Sequence, residues 1–336
     1  MRRKSRVNMA DIAREAGVSA ATVSRVLSAK GNVSEEVSRN VLNAVDKLGY
    51  VRNLGAATLA SSQSNTIGLF VRSMGNQFYG AVAAKVQEET DRAGYELLMG
   101  AGGDDIDSQM KSARNLLGHG IDGMMIVSGR VAPEVISYAS KYVPTVVLAA
   151  GIDVPSVSSV RIDPQSEVDL ATRVVSKGHK CVAVTASSNP LASTLHSRTS
   201  TFLTELVVKG VKTIIMPLQD FSDESVYEQL GTVISEGATA VMAGSDTIAL
   251  SVLESLRKHG LSCPDDVSVT GFDGVGCLAS PLLGITTVQQ PVEALARNAV
   301  SIMEKHMQND QIEVARLALK GRFIVGNTLG NPKVVD

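Results

Sequence analysis

The chain has 336 residues, too many for one ordinary domain and enough for two or three. Apolar residues make up 44% of it, a proportion that fills sizeable cores and excludes a disordered chain. Residues 1–63 carry ten Lys and Arg against five Asp and Glu, a net of +5, whereas the remainder carries 22 against 29, a net of −7. A small basic head on an acidic body points to a polyanionic partner for the head alone.

The longest apolar run, residues 143–152, falls well short of the roughly 20 residues that a bilayer span needs. The basic start, Met1-Arg2-Arg3-Lys4-Ser5-Arg6, is followed by no apolar stretch, so secretion is not expected. Cys181, Cys263 and Cys277 are odd in number and form no C-x-x-C pair. A disulfide framework or structural zinc site is therefore not expected, and a reducing cytoplasm fits.

Residues 8–50 read as three short helices. Asn8 caps the first, Asp11 sits favourably in its first turn, and Met9, Ile12, Ala13 and Ala16 form its apolar face. Gly17-Val18 ends it, and Ser19 caps a second helix over 20–27 that buries Val23, Val26 and Leu27. Gly31-Asn32 makes the next turn. Ser34 caps a third helix with Glu35 and Glu36 in its first turn, Val37, Val41, Ala44, Val45 and Leu48 inward, and Gly49 as its stop.

The first two helices have helix-turn-helix spacing. Ala13 is small where the helices cross, Gly17 lies in the turn, and Val23 falls in the shared core. That leaves the N-terminal face of the second helix free for a major groove. Ser19, Thr22 and Ser24 suit phosphate or base edges, Arg25 suits guanine O6 and N7, and Ala20 and Ala21 offer apolar contact. The competing reading is a plain three-helix bundle with a solvated Arg25. Ser61-Ser62-Gln63-Ser64-Asn65 then reads as a polar linker.

From Thr66 onward apolar runs alternate with helical stretches. Strands are expected over 67–71, 96–99, 124–127, 145–149, 181–185, 213–216, 240–243 and 267–270. Helices are expected over 79–93, 107–117, 164–177, 222–235 and 246–259, with Gly94, Gly118, Gly178, Gly237 and Gly260 as stops. This is the pattern of parallel α/β sheets, long enough for two, with a ligand cleft outside the strand ends.

Several signals carry little. Gly100-Ala101-Gly102-Gly103-Asp104-Asp105 departs from a dinucleotide fingerprint at its sixth position. Asn32-Val33-Ser34 fits a glycosylation sequon that means nothing without secretion. His119, His196, His259 and His306 lack metal-ligand spacing, and His179 reads as a structural turn residue. No motif supplies a nucleophile, a metal cage or a phosphate loop, so neither an enzyme nor a cofactor is expected.

Val18-Ser19-Ala20-Ala21-Thr22-Val23-Ser24-Arg25-Val26-Leu27 resembles the recognition helix of the lactose/galactose repressor family of bacterial transcription regulators. Gly31-Asn32-Val33-Ser34 and Leu48-Gly49-Tyr50-Val51-Arg52-Asn53 resemble that family's next landmarks, and the resemblance continues through nearly the whole chain. It implies an all-α helix-turn-helix head on a two-lobed, periplasmic-binding-protein-like α/β body of parallel sheets. The chain would cross between lobes near Arg161, Gln289-Gln290 and Gly321. The expected division is a head over 1–52, a hinge and linker over 53–65, one lobe over 66–161 and 290–321, and the other over 162–289 and 322–336.

The resemblance also implies a homodimer reading a pseudo-palindromic duplex operator. It adds Asn32 to the DNA contacts, folds the segment after Asn53 as a hinge helix on DNA, and makes Leu59 an apolar wedge in a minor-groove step with Ala56 beside it. Arg52 replaces a usual proline, and Gly55 costs about 1 kcal/mol inside a helix. The tail Asn331-Pro332-Lys333-Val334-Val335-Asp336 lacks the leucine heptads of lactose-type tetramers, which favours a dimer.

In the cleft, the resemblance assigns the effector to Phe78, Thr194, Arg198, Phe221, Ser245 and Asp273. Arg198 can fork onto a hydroxyl pair or a carboxylate, and Phe221 can stack on a ring. Arg198 and Asp273 as a structural pair between lobes, and Phe221 as core, are the competing readings. Ser245-Asp246 stands where the family has Asn-Asp, Ala149 where it has an acid, Thr201 where it has glycine, Gln77 where it has proline, and Gly274 where it has a second acid. Losing the carboxylate and the amide removes two polyol-grade hydrogen-bonding groups, each worth about 1 kcal/mol. A simple hexose is therefore disfavoured against a smaller or more apolar ligand, or a vestigial site. The reading that follows is a ligand-responsive repressor in the cytoplasm, with an enzyme built on the α/β body as the main rival and a small-molecule binding module whose head is a dimerisation device as a third.

Overall fold

The structure, a computed structural model, describes residues 7–27, 33–50, 64–219, 223–309 and 313–333. Contacts divide the chain into two units, Met1–Ser64 and Asn65–Asp336.

In the head, α1 spans Met9–Ala16, α2 Ala20–Leu27 and α3 Glu35–Leu48. The Asn8 side chain accepts from the N–H groups of Ala10 at 2.8 Å and Asp11 at 3.1 Å, and the Asp11 carboxylate accepts from the Asn8 N–H at 3.0 Å. This reciprocal box satisfies donors that a helix start leaves orphaned. Gly17 ends α1 at φ +67°, a conformation costly for a residue with a Cβ, and so permits the tight turn into α2. Ser19 Oγ caps α2 by accepting from the Thr22 N–H at 3.1 Å. Ile12, Ala13, Val23, Val41 and Ala44 form the core. Met9, expected on the buried face, is exposed, because it stands in the first turn ahead of that stripe. A Lys47–Glu15 ion pair at 2.6 Å links α3 to α1.

The body runs β1 Thr66–Val71, α4 Gln77–Ala93, β2 Glu96–Ala101, α5 Ile106–Gly118, β3 Gly123–Val127, α6 Pro133–Ala139, β4 Thr145–Leu148 and β5 Ser158–Ile162. It continues with α7 Gln165–Ser176, β6 Cys181–Ser187, α8 Ser193–Val208, β7 Lys212–Leu218, α9 Asp223–Ser235, β8 Ala240–Met242, α10 Asp246–Lys258 and β9 Ser268–Thr270. A 3-10 turn at Gly276–Ala279 precedes β10 Thr287–Gln289, α11 Val292–Gln308, β11 Arg316–Leu319 and β12 Arg322–Ile324.

Two parallel sheets result, ordered β11-β5-β4-β3-β1-β2 and β7-β6-β8-β9. In the first lobe the strands read as near-continuous apolar runs because helices cover both faces. Ile67, Leu69, Met125 and Val127 pack toward α4 and α11, while Phe70, Met124 and Ile126, at the alternate positions, pack toward α5 and α6. Each such fully buried side chain contributes roughly 1.5–3 kcal/mol. The second lobe is built likewise, with Ala183, Met216 and Val241 on one face and Val182, Val184 and Met242 on the other.

The chain leaves the first sheet after Ile162, returns through β10 into α11, and leaves again between β11 and β12. β10 and β12 pair antiparallel as a two-stranded ribbon, Val288 opposite Phe323. The Arg322 guanidinium donates to Gln289 Oε1 at 2.7 and 3.1 Å across it. The Gly321 N–H donates to Ser166 Oγ at 2.9 Å, holding the remaining crossing segment beside the ribbon.

The expected stop at Gly118 moves: that glycine is the last residue of α5, and the left-handed turn falls at Gly120, φ +72°. Strands β5, β10, β11 and β12 and helices α6, α8 and α11 add to the expected set. In β5, Ser158 and Ser159 disguise a buried strand by finding partners in His306 at 2.8 Å and Asp153 at 3.2 Å.

Candidate functional sites

Two faces of the molecule carry candidate chemistry, one on each unit. On the head, Ser19, Ala20, Ala21, Ser24 and Arg25 are exposed, and Thr22 is half-buried with its hydroxyl 2.9 Å from Ser19 Oγ. Val23, on the opposite side of α2, is fully buried. The core thus presents one polar, cationic helix face whose first turn is braced by its own cap. Asn32, Ala56 and Leu59 lie outside the described residues.

On the body, five of the six expected cleft residues line one cavity: Phe78, Thr194, Arg198, Ser245 and Asp273. Phe221 lies outside the described residues. Phe78 enters from the first turn of α4, Thr194 and Arg198 from α8, Ser245 from the cap of α10, and Asp273 from the turn after β9. All therefore stand at strand-to-helix connections or helix starts, the end of an α/β sheet where ligands bind.

Arg198 is almost wholly buried. Its guanidinium lies over the Phe272 ring, with Cζ 3.6 Å from the centroid, donates to the Gly244 carbonyl, and pairs with Glu167 at 3.4 Å and Asp273 at 3.8 Å. One terminal nitrogen, Nη2, and one Glu167 oxygen have no hydrogen-bond partner. Arg198 and Asp273 both belong to the second lobe, so their pair does not join the two lobes.

Asp273 adopts φ +119° and accepts from the Gln290 amide at 2.7 Å. Burial pushes its carboxyl up to about 7, against the pull of Arg198 and with a push from Asp246. Asp246 is itself raised by burial, although the Thr287 hydroxyl and the Gly274 N–H each donate to it at 2.6 Å. The Ser245 hydroxyl accepts from the Ile248 N–H at 3.3 Å as the helix cap, which leaves it a weaker ligand group than a free amide.

The lobes touch across the cavity mouth. Thr194 donates through its hydroxyl to the Ala149 carbonyl at 3.1 Å and through its N–H to the Gly129 carbonyl at 3.3 Å. Ala149 stands at φ +56°, a strained conformation for alanine, and its carbonyl receives that bond. A Cβ on Gly151 would lie 2.8 Å from the Ser193 carbonyl oxygen and the Thr194 Cα, so only glycine admits this approach. The space between these residues is about 60 Å³, well below the roughly 300–1,000 Å³ of a usual ligand pocket.

Arg72, Tyr79 and Arg130 line the same cavity and were not singled out from sequence. Arg72 follows β1 and Arg130 lies just beyond β3, so strand register was the signal available for them.

Residues 8–53 match the family described as bacterial regulatory proteins, lacI family, and residues 171–329 match the periplasmic binding protein-like domain. The chain thus joins a lacI-type helix-turn-helix head to a binding-protein-like body, the architecture of a DNA-binding transcription regulator. It is 28% identical over 323 residues to catabolite control protein A of Priestia megaterium, covering 94% of this chain and 97% of that protein. It is 26% identical over 332 residues to the HTH-type transcriptional repressor PurR of Vibrio parahaemolyticus, covering 95% and 97%. The lac repressor dimer, solved with operator and an anti-inducer, superposes with a TM-score of 0.83 at 24% identity, covering 97% of this chain and all of that one. These relatives are regulators rather than enzymes, and among the described residues no helix is long and apolar enough to cross a membrane.

Proposed function

We propose that this chain is a repressor that reads a pseudo-palindromic operator as a homodimer in the cytoplasm, its affinity set by a small molecule held between the lobes. The observation that carries the reading is the exposed Ser19–Arg25 face of α2, supported on a buried core and set in a head of net positive charge. Residues 1–52 would form the head, 53–65 the hinge, and the two discontinuous lobes would meet at the crossings near 161, 290 and 321. Leu59 and Ala56 would enter the minor groove and Asn32 would add a contact.

The effector part of the proposal draws on relatives: the lac repressor structure holds operator and anti-inducer together. In this chain Phe78, Thr194, Arg198, Ser245 and Asp273 would face the ligand, with Phe221 as a further wall. A coupling of about 1–3 kcal/mol between cleft and head gives a 5- to 150-fold change in operator affinity. A ligand of hexose size would enter only after the lobes part.

Selection from a random duplex library at several salt concentrations tests the reading. Enrichment of one palindrome is expected, and retention that is unselective and vanishes with salt would overturn it. On the selected site, Arg25→Ala is expected to cost about 1–3 kcal/mol and to relax preference at one base position of each half-site.

A further inference from the structure

The cleft wall that the expected residues leave out is cationic. Arg72 and Arg130 come from the connections after two different strands of the first lobe, β1 and β3, and line the same cavity as Arg198 of the second. Both are largely buried, their side chains 12% and 14% exposed. The carboxylate that both approach is Asp104, 2.6 Å from Arg72 and 3.9 Å from Arg130, and it is itself mostly in solvent. Arg72 also lies against the Tyr79 ring at 5.2 Å, and its Nε has no hydrogen-bond partner.

On the far wall Arg198 keeps one buried nitrogen without a partner. Its other neighbours do not offset the excess inside the cavity. Among the described residues Asp273 is the one carboxyl in the lining, and Glu167 and Asp246 are not part of it. Three guanidinium groups and one carboxyl of the described residues therefore line the space. Neutral polyols reward donors and acceptors in mixed array, whereas several guanidinium donors together match an oxyanion. The small volume fits a head group of a few heavy atoms rather than a whole sugar ring.

We infer that the interlobe cleft binds a small oxyanion, a phosphoryl or carboxylate group, through Arg72 and Arg130 from one lobe and Arg198 from the other. The inference rests on the cleft being the effector site and names what that site takes. An anion bridging the two walls would take contacts from guanidinium groups of both lobes and would draw the lobes together.

The test titrates the full chain at constant ionic strength with inorganic phosphate, glucose 6-phosphate, glucuronate and glucose, read by calorimetry and by the shift in melting temperature. Phosphate and at least one charged sugar are expected to bind at least tenfold more tightly than glucose, and the better of the two sugars identifies the group. Arg72→Gln and Arg130→Gln are each expected to weaken that binding tenfold or more. Asp104→Asn, which removes the competing carboxylate, is expected to tighten it about threefold.

Equal binding of glucose and the charged sugars, or no binding by any anion, overturns the inference. So does weakening by Asp104→Asn to the same extent as Arg72→Gln, which would make Arg72 a structural partner of Asp104. Operator selection is scored separately. A chain that selects a palindrome but ignores all anions sinks this inference alone, and one that binds anions but selects no DNA sinks the repressor reading alone.

Discussion

Asp273 lines the cavity with its carboxyl raised to about 7. Its place in Gly271-Phe272-Asp273-Gly274 marked it as a cleft group, but this shift arises from burial and from Asp246, some 27 positions away. A group that ionises less readily in the folded state than in the unfolded chain favours folding while it is protonated in both. That contribution is complete below about pH 4 and is lost as pH rises through 7. Asp246 is shifted the same way. Urea unfolding of the protein is therefore expected to show stability falling between pH 4 and 7. Asp273→Asn, which keeps an acceptor for Gln290 and tolerates the positive φ, is expected to flatten that fall without lowering stability at pH 7.5. Arg72 and Arg130 were hidden for the opposite reason. Nothing local distinguishes them from other arginines, and only the register of β1 and β3 brings their side chains to one wall.

At the scale of elements, the head was readable because its instructions are local. Asn8, Ser19 and Ser34 each sit where a side-chain oxygen meets an orphan N–H, and each does so. Asn8→Ala breaks the reciprocal box and is expected to cost the head about 1 kcal/mol, visible as a lowered midpoint of its own melting transition. The body's late strands were hidden because β10, β11 and β12 are three or four residues long and acquire meaning only from partners far along the chain. Helix α8 likewise follows Ala192, which offers no side-chain cap to announce it. Its first turn nonetheless closes the cavity. Gly151→Ala would push a methyl group into the Ser193–Thr194 backbone, which cannot rotate away. The bond from the Thr194 N–H to Gly129 should then break, and hydrogen exchange at that amide should quicken about fivefold or more.

For the whole molecule, the division at Ser64 and Asn65 gives two units with separate cores. Scanning calorimetry is expected to resolve two transitions, the smaller carrying about one fifth of the total enthalpy in proportion to its length. The two lobes of the body should melt together, since three passages of chain join them and each sheet depends on segments from both ends of the body. The character of those passages has a mechanical consequence. Two of the three are bonded to each other as the β10–β12 ribbon, and the third is held to that ribbon by the Gly321–Ser166 bond. Tied in this way they cannot slide past one another independently, so shear and separate twisting of the three strips are suppressed and bending about the bundle is what remains. A body restricted to one such coordinate opens and closes by changing a single angle, so the width of its cleft is set by one number.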